Sequence, residues 1–362
     1  MVKSAYIHIP FCKSKCHYCS FVSFADTALK SEYLSALKNE IKNSYQQEPL
    51  DTLYFGGGTP SVLSVGELES IFRNFNIHKN SEITIELNPD DVDYGYLRTL
   101  YDIGINRLSF GCQTFDDEIL KKINRRHNAG QVINAVKMAQ DAGFENISLD
   151  FIYGLPNQTP EMFYKDLGLA VQLGVQHISL YGLSIEEGCY FYKNTPSGLC
   201  DEDTQADMYL GAVKLLSESG FEHYEISNFS KKGYNSRHNL NYWNNKEYYG
   251  FGVAAHGYVN GIRYGNKVIL EDYIDNPYEH LEEKFITQRE KLEEEIFLGF
   301  RKMTGINVSE INQKYCIDFE EKYNEVLKKF EGLNLISKTK TGYSLTLNGI
   351  LVSNTVLAEF IE

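Results

Sequence analysis

The sequence predicts an α/β fold: a partial (β/α)6 open barrel of the TIM type, followed by a small C-terminal α+β domain of winged-helix type. Strand-like runs alternate with amphipathic segments through the first two thirds of the chain, a glycine-initiated motif recurs there, and the pattern changes near residue 282. Alternating strands and helices form a parallel sheet with helices outside. Six such units fall short of the eight that close a barrel.

The recurring motif sets the boundaries of the barrel units. Each copy starts with glycine and continues into a β-rich run, at 104–110, 143–149 and 174–180, with a looser copy at 220–226. Glycine tolerates the positive φ at which helices end, so each copy predicts a helix-to-strand junction. The predicted strands are 4–9, 51–55, 82–87, 107–111, 146–152 and 177–182. Helical periodicity predicts helices over 65–75, 94–102, 160–173 and 204–218, and apolar helix faces at Leu34, Leu37, Ile41, Tyr45 and at Val132, Ala135, Val136, Ala139.

Three regions are expected: a core over 1–225, a connecting region over 226–281 and a C-terminal domain over 282–362. The last region predicts helices near 292–300, 308–315 and 319–330, then strands 335–337 and 343–347 around a turn. Winged helices often bind DNA, but residues 282–362 carry 11 Lys and Arg against 14 Asp and Glu. That balance argues against a DNA-binding role.

Composition narrows the function classes. The 362 residues are 43% hydrophobic and carry a net charge of −14, which argues against sequence-independent nucleic-acid binding. No apolar run approaches the roughly 20 residues that span a bilayer. The seven cysteines and the absence of a signal-like start predict a reduced, cytoplasmic protein. Cys112, Cys189, Cys200 and Cys316 are scattered and are interpreted as structural.

A cysteine loop follows the first predicted strand. Cys12, Cys16 and Cys19 have C-x3-C-x2-C spacing, and thiolates are soft ligands suited to zinc, copper(I) or iron–sulfur clusters. A structural zinc site takes four ligands, and no fourth is obvious. Three cysteines therefore suggest a four-iron cluster with one open iron. The alternative is three unrelated thiols, but the intervening residues are polar.

Glycines and polar side chains collect at the predicted carboxyl ends of the strands, where barrels carry their active sites. The segment 56–60 begins with three consecutive glycines and follows strand two. Because glycine has no side chain, its backbone N–H groups can approach a ligand closely. Glu86, Gln113, Arg125 and Asp150 end strands or follow them. Such a set suits a ligand with hydroxyls, an amine and a carboxylate. A tight turn and ordinary salt bridges remain the alternatives.

A polar–aromatic segment spans 238–243, from His238 to Trp243. Histidine is a common heme ligand, and aromatic side chains can flank a flat macrocycle. From these residues alone, a loop folded over the barrel mouth with a hydrogen-bonded His238 is the favoured interpretation.

Several motifs carry a family resemblance. The cysteine loop with Tyr18 and Phe21 resembles the radical S-adenosylmethionine superfamily. Within it, the chain resembles the family of anaerobic coproporphyrinogen III dehydrogenase (HemN) and the heme chaperone HemW. Phe21 stands where HemN-type members carry a further cysteine, and the segment from His238 matches the HemW heme-binding motif. The motifs are YIHIPFC at 6–12, FGGGTP at 55–60, IELNP at 85–89, SFGCQ at 109–113 and DFIYGLP at 150–156.

The resemblance implies a [4Fe–4S] cluster on Cys12, Cys16 and Cys19, with S-adenosylmethionine on the open iron. It implies that His238 binds heme as cargo. The cofactor-binding positions that it implies are Tyr18 in the cysteine loop, Tyr6, Gly57 and Glu86 around the cluster-bound S-adenosylmethionine, and Gly58, Thr59, Gln113, Arg125 and Asp150, which match a second S-adenosylmethionine site in HemN.

The expected function is that of a heme chaperone, which transfers heme to a membrane-associated or respiratory acceptor protein. The chain itself is expected not to span the membrane, and to be cytoplasmic with access to the inner membrane face. The alternative is an oxygen-independent coproporphyrinogen III dehydrogenase that decarboxylates propionates through a 5′-deoxyadenosyl radical. A third class, a winged-helix regulator that senses iron or redox state, is disfavoured by the acidic C-terminal region.

Overall fold

A nine-stranded sheet organises the chain in the computed structural model, which describes residues 1–361. Six strands match the predicted barrel strands, and three short ones extend them. The strands are β1 (Ser4–Ile9), β2 (Leu50–Gly57), β3 (Ile77–Leu87), β4 (Arg107–Gln113), β5 (Ile147–Tyr153), β6 (His177–Gly182), β7 (Glu222–Glu225), β8 (Asn228–Ser230) and β9 (Tyr249–Phe251).

The sheet is an open barrel in the order β7-β8-β6-β5-β4-β3-β2-β1-β9. Strands β1 to β6 run parallel, and β9 joins β1 in parallel, with Ile7 opposite Phe251. At the other edge β8 is antiparallel to β6, and β7 is antiparallel to β8. The prediction of an unclosed α/β barrel is confirmed. The looser glycine copy leads into β7, which is separated from β6 by the reversed strand β8 and therefore does not pair with β6 as a seventh parallel unit.

Helices cover the outer face of the sheet, as predicted. Helix α1 buries Leu34, Leu37 and Ile41, and α5 begins with a capping box in which Asn128 and Gln131 exchange hydrogen bonds. Short 3-10 turns occupy Pro60–Val62 and Pro89–Asp91. The helices are α1 (Lys30–Ser44), α2 (Val65–Phe72), α3 (Tyr94–Asp102), α4 (Asp117–Lys122), α5 (Ala129–Asp141), α6 (Pro160–Gln172), α7 (Tyr190–Lys193) and α8 (Glu202–Glu218).

The connecting region folds onto the barrel and adds β8 and β9 to its sheet. It also contains helix α9 (Arg237–Trp243), helix α10 (Leu270–Asp275) and a second sheet. That sheet has three antiparallel strands, β10 (His256–Val259), β11 (Ile262–Asn266) and β12 (His280–Phe285). The division into regions at 225 and 281 stays a prediction. Strand β12 crosses the second of these positions.

The C-terminal region contains a small antiparallel sheet and six helices. Two predicted details were wrong: the helix over 319–330 is two helices that meet at Tyr323, and the last strand ends at Leu345 because Thr346 caps the next helix. The strands are β13 (Ile306–Asn307), β14 (Ile336–Lys338) and β15 (Gly342–Leu345). The helices are α11 (Gln288–Gly299), α12 (Val308–Tyr315), α13 (Phe319–Lys322), α14 (Asn324–Gly332), α15 (Leu347–Leu351) and α16 (Ser353–Ala358). Within residues 1–361, none of the helices combines the length and apolarity needed to cross a bilayer.

A buried carboxyl group joins α1 to the connecting region. Glu40 accepts hydrogen bonds from the Gly252 N–H (2.8 Å), from Asn266 Nδ2 (2.7 Å) and from the Tyr273 hydroxyl. Burial raises the pKa of Glu40 to about 7, from an ordinary value of 4.5, although these hydrogen bonds partly oppose the shift. The folded chain therefore holds this proton at pH values where the unfolded chain has released it.

We expect this proton to make stability fall with rising pH. Between about pH 5 and about pH 8, wild-type protein should lose on the order of 2 kcal/mol more unfolding free energy than Glu40→Gln, which cannot ionise. Urea denaturation of both proteins at the two pH values measures the difference. Glu32→Gln, on the exposed face of the same helix, is the matched control. Parallel pH profiles for wild type and Glu40→Gln would contradict the expectation.

Candidate functional site

A cavity of about 450 Å3 opens at the carboxyl ends of β1 to β6. We call it the main cavity. Barrel strands deliver side chains from successive loops to this end, and it gathers every predicted site residue except Tyr6 and His238. The predicted residues that line it are Cys12, Cys16, Tyr18, Cys19, Gly57, Gly58, Thr59, Glu86, Gln113, Arg125 and Asp150.

The cysteine loop forms one wall of the main cavity. It is pinned at its base by the hydrogen bonds Cys12 N–H to Phe24 O (3.0 Å) and Phe24 N–H to Pro10 O (2.7 Å). The three cysteine side chains are partly buried, and none of them forms a disulfide bond. Burial raises the pKa of Cys12 and of Cys19. Metals bind the thiolate form of cysteine. A cationic metal centre between the two sulfurs would stabilise that form and oppose the rise in their pKa.

The arrangement of the three cysteine sulfurs fits a metal cluster better than a single metal ion. Among residues 1–361, no three Cys, His, Asp or Glu side chains converge closely enough to bind a single metal ion. The three cysteines border one shared cavity instead. Cys12 Sγ lies 3.3 Å from Thr59 Oγ1, so the cysteine loop and the glycine loop meet at this point.

The glycine loop requires glycine for steric reasons. Gly57 has φ +108°, and a Cβ there would lie 2.5 Å from His8 Nδ1. A Cβ on Gly58 would lie 2.9 Å from the Ile9 and Phe11 carbonyl oxygens. The Gly58 N–H donates to Ile9 O (2.8 Å), which holds the loop against the end of β1. The absent side chains leave half-buried backbone uncovered beside the cysteines.

Two half-buried carboxyl groups form the floor of the main cavity. Glu86 accepts from the Tyr54 hydroxyl (2.8 Å) and the Gly57 N–H (3.2 Å), and burial raises its pKa to about 7. Asp150 accepts from Ser109 Oγ at 2.9 and 3.1 Å, and burial raises its pKa as well. Both groups therefore have proton affinities well above those of exposed carboxylates, and they can bind hydroxyl or ammonium groups of a ligand.

Arg125 connects the cysteine loop to the end of β4. Its Nη2 donates to Gly111 O (2.6 Å) and Asn88 Oδ1 (2.8 Å), and its Nη1 lies 3.5 Å from Cys16 Sγ. Its buried Nε has no hydrogen-bond partner in the described part of the chain. An unpaired buried donor is costly, so the site fits an anionic group that would accept this N–H. Gln113 stands beside it with φ +67°.

Tyr6 and His238 lie outside the main cavity. The Tyr6 hydroxyl is 3.1 Å from His8 Nδ1, and its ring borders an adjoining cleft. His238 is 1% exposed. Its Nδ1 lies 2.8 Å from Thr52 Oγ1 and its Nε2 lies 2.8 Å from the Tyr242 hydroxyl, so both ring nitrogens are engaged. Burial lowers the pKa of His238 to about 3, so the ring is neutral.

The segment from His238 is a helix, so the interpretation as a loop over the barrel mouth was wrong, whereas its expectation of a hydrogen-bonded His238 is confirmed. Ser236 caps helix α9 through the Asn239 N–H. The Glu82 carboxylate accepts the N–H groups of Arg237 (3.1 Å) and His238 (3.0 Å). An acidic group at a helix amino terminus satisfies its free N–H groups and its dipole. Because Glu82 lies in the middle of β3, the helix packs toward the amino-terminal half of the strands.

The sequence reasoning missed the polar interior of the barrel. Every second residue of the strands points inward, and several inward residues are polar and buried. The signal was present as strict alternation, for example Glu82-Ile83-Thr84-Ile85-Glu86 in β3. The missed interior residues are Thr52, Tyr54, Glu82, Thr84, Arg107, Ser109, Ser148, His177 and Ser179.

Two family models match the chain. The Radical SAM superfamily matches residues 6–170, and the HemN C-terminal domain matches residues 286–352. The radical SAM family implies a [4Fe–4S] cluster and S-adenosylmethionine. In overall fold the chain is similar to the HemN coproporphyrinogen III oxidase of Escherichia coli, with a TM-score of 0.87 over 99% of this chain and 90% of that one. Sequence identity there is 22%, so this likeness describes the fold alone.

Full-length relatives are more similar in sequence. The heme chaperone HemW of Lactococcus lactis is 38% identical over 99% of this chain and 97% of its own. The heme chaperone HemW of Bacillus subtilis is 39% identical over 99% of both chains. With this similarity along its whole length, and with a radical SAM segment followed by a HemN C-terminal domain, the chain belongs to the HemW family of the radical SAM superfamily.

Proposed function

We propose that this protein is a heme chaperone, which binds heme and transfers it to an acceptor protein. The observation that carries the proposal is its similarity, over nearly its entire length, to proteins named heme chaperones. The proposed acceptor is a membrane-associated or respiratory hemoprotein, and the proposed place of action is the cytoplasm beside the inner membrane face. Coproporphyrinogen III decarboxylation remains the competing activity that the experiment must exclude.

The proposal assigns the [4Fe–4S] cluster to Cys12, Cys16 and Cys19. Their position around one cavity supports this, and so does the guanidinium of Arg125, which lies beside Cys16. Tyr6, Tyr18, Gly57 and Glu86 would hold the cluster-bound S-adenosylmethionine. Gly57 supplies half-buried backbone that no side chain covers, and Glu86 supplies a carboxyl group that the Tyr54 hydroxyl already holds.

A second group of residues matches the additional S-adenosylmethionine site of HemN. These are Gly58, Thr59, Gln113, Arg125 and Asp150, and all line the main cavity. Their common position supports a shared ligand. The unpaired Nε of Arg125 would meet an anionic group of that ligand, and Asp150 would accept hydrogen bonds from its hydroxyls.

The residues of the main cavity would position the cofactors and restrict water. Bound together, the cluster and S-adenosylmethionine supply one-electron chemistry, which in this proposal controls heme transfer. Arg125 donates hydrogen bonds to the Gly111 carbonyl and to Asn88, so it links the end of β4 to the segment that follows β3. Tyr54 fixes the Glu86 carboxyl group beneath them.

The proposed role of His238 as heme ligand stays a prediction. In the structure its two ring nitrogens are taken by Thr52 and Tyr242. An axial bond to iron would require at least one of these hydrogen bonds to break and a buried side chain to become accessible.

The experiment is anaerobic reconstitution of the full chain with iron and sulfide, followed by heme titration and transfer to an apo-hemoprotein. We expect saturable heme uptake, a spectral change of the cluster when S-adenosylmethionine is added, and transfer to the acceptor. Protoporphyrinogen IX formed from coproporphyrinogen III under the same conditions would overturn the proposal. Equally, it fails if reconstituted protein takes up no heme.

A further inference from the structure

A second cavity adjoins the main one, and of its lining residues only Tyr6, Gly57 and Glu86 have a ligand-binding role in the assignments above. It has a volume of about 500 Å3, and we call it the side cleft; Tyr6, Phe21, Tyr242, Tyr248, His256 and Val268 are among its lining residues. It shares Ser20, Phe21, Gly57 and Glu86 with the main cavity. A molecule in the side cleft would therefore lie directly against the cofactor end of the barrel.

The walls of the side cleft suit a flat, largely apolar ligand. The rings of Tyr242 and Tyr248 meet edge to face, with centroids 4.6 Å apart. Phe21 is 67% exposed and Val268 is 44% exposed, although both border the cleft. Exposed apolar side chains at a cavity rim indicate a surface that a ligand covers. Aromatic faces and edges of this kind pack well against a macrocycle.

One imidazole in the side cleft is free. His256 begins strand β10, and its side chain is exposed. Within residues 1–361 its imidazole makes no hydrogen bond, ion pair or ring contact, although its backbone belongs to the β10–β11 ladder. Its ring lies over Gly265 on the neighbouring strand, where a Cβ would stand 3.0 Å from Cε1 and 3.1 Å from Nδ1. Glycine at this position leaves room for the ring beside the cleft.

His256 and His238 differ in the accessibility of their ring nitrogens. Both nitrogens of His238 are bonded and its ring is buried, whereas His256 is exposed and unbonded. His238 reaches the side cleft only through Tyr242, whose hydroxyl it holds at 2.8 Å. In this arrangement His238 positions an aromatic wall, and His256 offers a nitrogen lone pair to a metal.

We infer that the side cleft binds heme, with His256 as an axial ligand to iron and His238 as a positioning residue that holds Tyr242. The inference rests on the proposed function, because it requires that heme be the cargo. It moves the iron ligand from helix α9 to strand β10. It also places the heme against the wall that the cleft shares with the main cavity, where bound cofactor could affect its release.

The test is hemin titration of the reconstituted full chain and of three alanine variants, His256→Ala, His238→Ala and His78→Ala. We expect the Soret band of a histidine-ligated heme in wild type. His256→Ala should lose that signature and bind heme roughly tenfold or more weakly, which corresponds to about 1.4 kcal/mol. His78 pairs with Asp51 at the other end of the barrel, so His78→Ala is the control and should match wild type.

Two further measurements separate ligation from folding. His256→Gly should recover a wild-type-like spectrum when free imidazole is added, because imidazole can occupy the vacated position. His238→Ala should keep histidine ligation but lower the melting temperature, since it leaves Thr52 and Tyr242 without their buried partner. Gly265→Ala should shift the Soret band, because its methyl group displaces the His256 ring.

The outcomes distinguish the inference from the function on which it rests. If His256→Ala binds heme with the affinity and the Soret band of wild type, the inference is overturned. If only His238→Ala loses histidine ligation, the axial ligand belongs to helix α9 instead. Wild-type protein that binds no heme overturns the proposed function and the inference together. Loss of ligation confined to His256 variants, with imidazole rescue, supports the inference.

Discussion

Replacing Cys16 with serine is expected to reduce bound iron and acid-labile sulfide to background after anaerobic reconstitution. A serine hydroxyl is a much weaker ligand for iron than a thiolate, and the proposed cluster has only two other protein ligands, Cys12 and Cys19. The charge-transfer absorption of the cluster and its response to S-adenosylmethionine should disappear with the iron. Iron and sulfide assays, with visible spectra, measure the effect.

Cys316→Ser provides the matched control, because Cys316 is exposed and lies in the C-terminal region. It should retain wild-type iron, sulfide and spectral response. Equal melting temperatures for the two variants before reconstitution would show that Cys16→Ser is folded. Full iron content in Cys16→Ser would refute the ligand assignment.

Replacing Arg107 with alanine is expected to destabilise the fold by about 3 kcal/mol, because it removes a buried positive charge that interacts favourably with Glu82 and Asp150. Arg107 is 2% exposed inside the barrel. Burial by itself lowers the pKa of Arg107. The charges of Glu82 and of other groups, including Asp150, outweigh this effect and raise the pKa overall, so the guanidinium stays charged. Urea denaturation at neutral pH measures the loss of unfolding free energy.

Arg73→Ala tests whether the effect comes from burial. Arg73 pairs with Glu69 on the surface of the protein, and its side chain is 73% exposed. An exposed pair of this kind contributes less than about 1 kcal/mol. Similar losses in the two variants would show that the barrel interior does not depend on Arg107.

The barrel could be predicted from sequence because local signals and tertiary structure agree there. The strand runs of β1 to β6 and the apolar face of α5 are long and periodic, and each is followed by a clear turn or cap. The rule that places sites at the carboxyl ends of strands then brought Cys12, Glu86 and Asp150 together without any contact information.

The remaining features depend on contacts distant in the chain. Strand β9 is three residues long, and its pairing with β1 is what makes it a strand. The position of His238 could not be predicted, because it is fixed by Glu82 and Thr52, more than a hundred residues earlier. The free imidazole of His256 has no sequence motif that separates it from an ordinary surface histidine. Only the fold shows which of the two rings is accessible.

The pairing of β9 with β1 has a consequence for biosynthesis. Strand β1 leaves the ribosome long before residues 249–251, which cover its outer edge in the folded protein. At translation rates of about 5 to 20 residues per second, that delay lasts roughly ten to fifty seconds. During this time an apolar strand presents unpaired N–H and C=O groups to other nascent chains. Cellular folding factors that shelter emerging polypeptides would therefore act on the amino-terminal segment, and products truncated before residue 249 should be prone to aggregate.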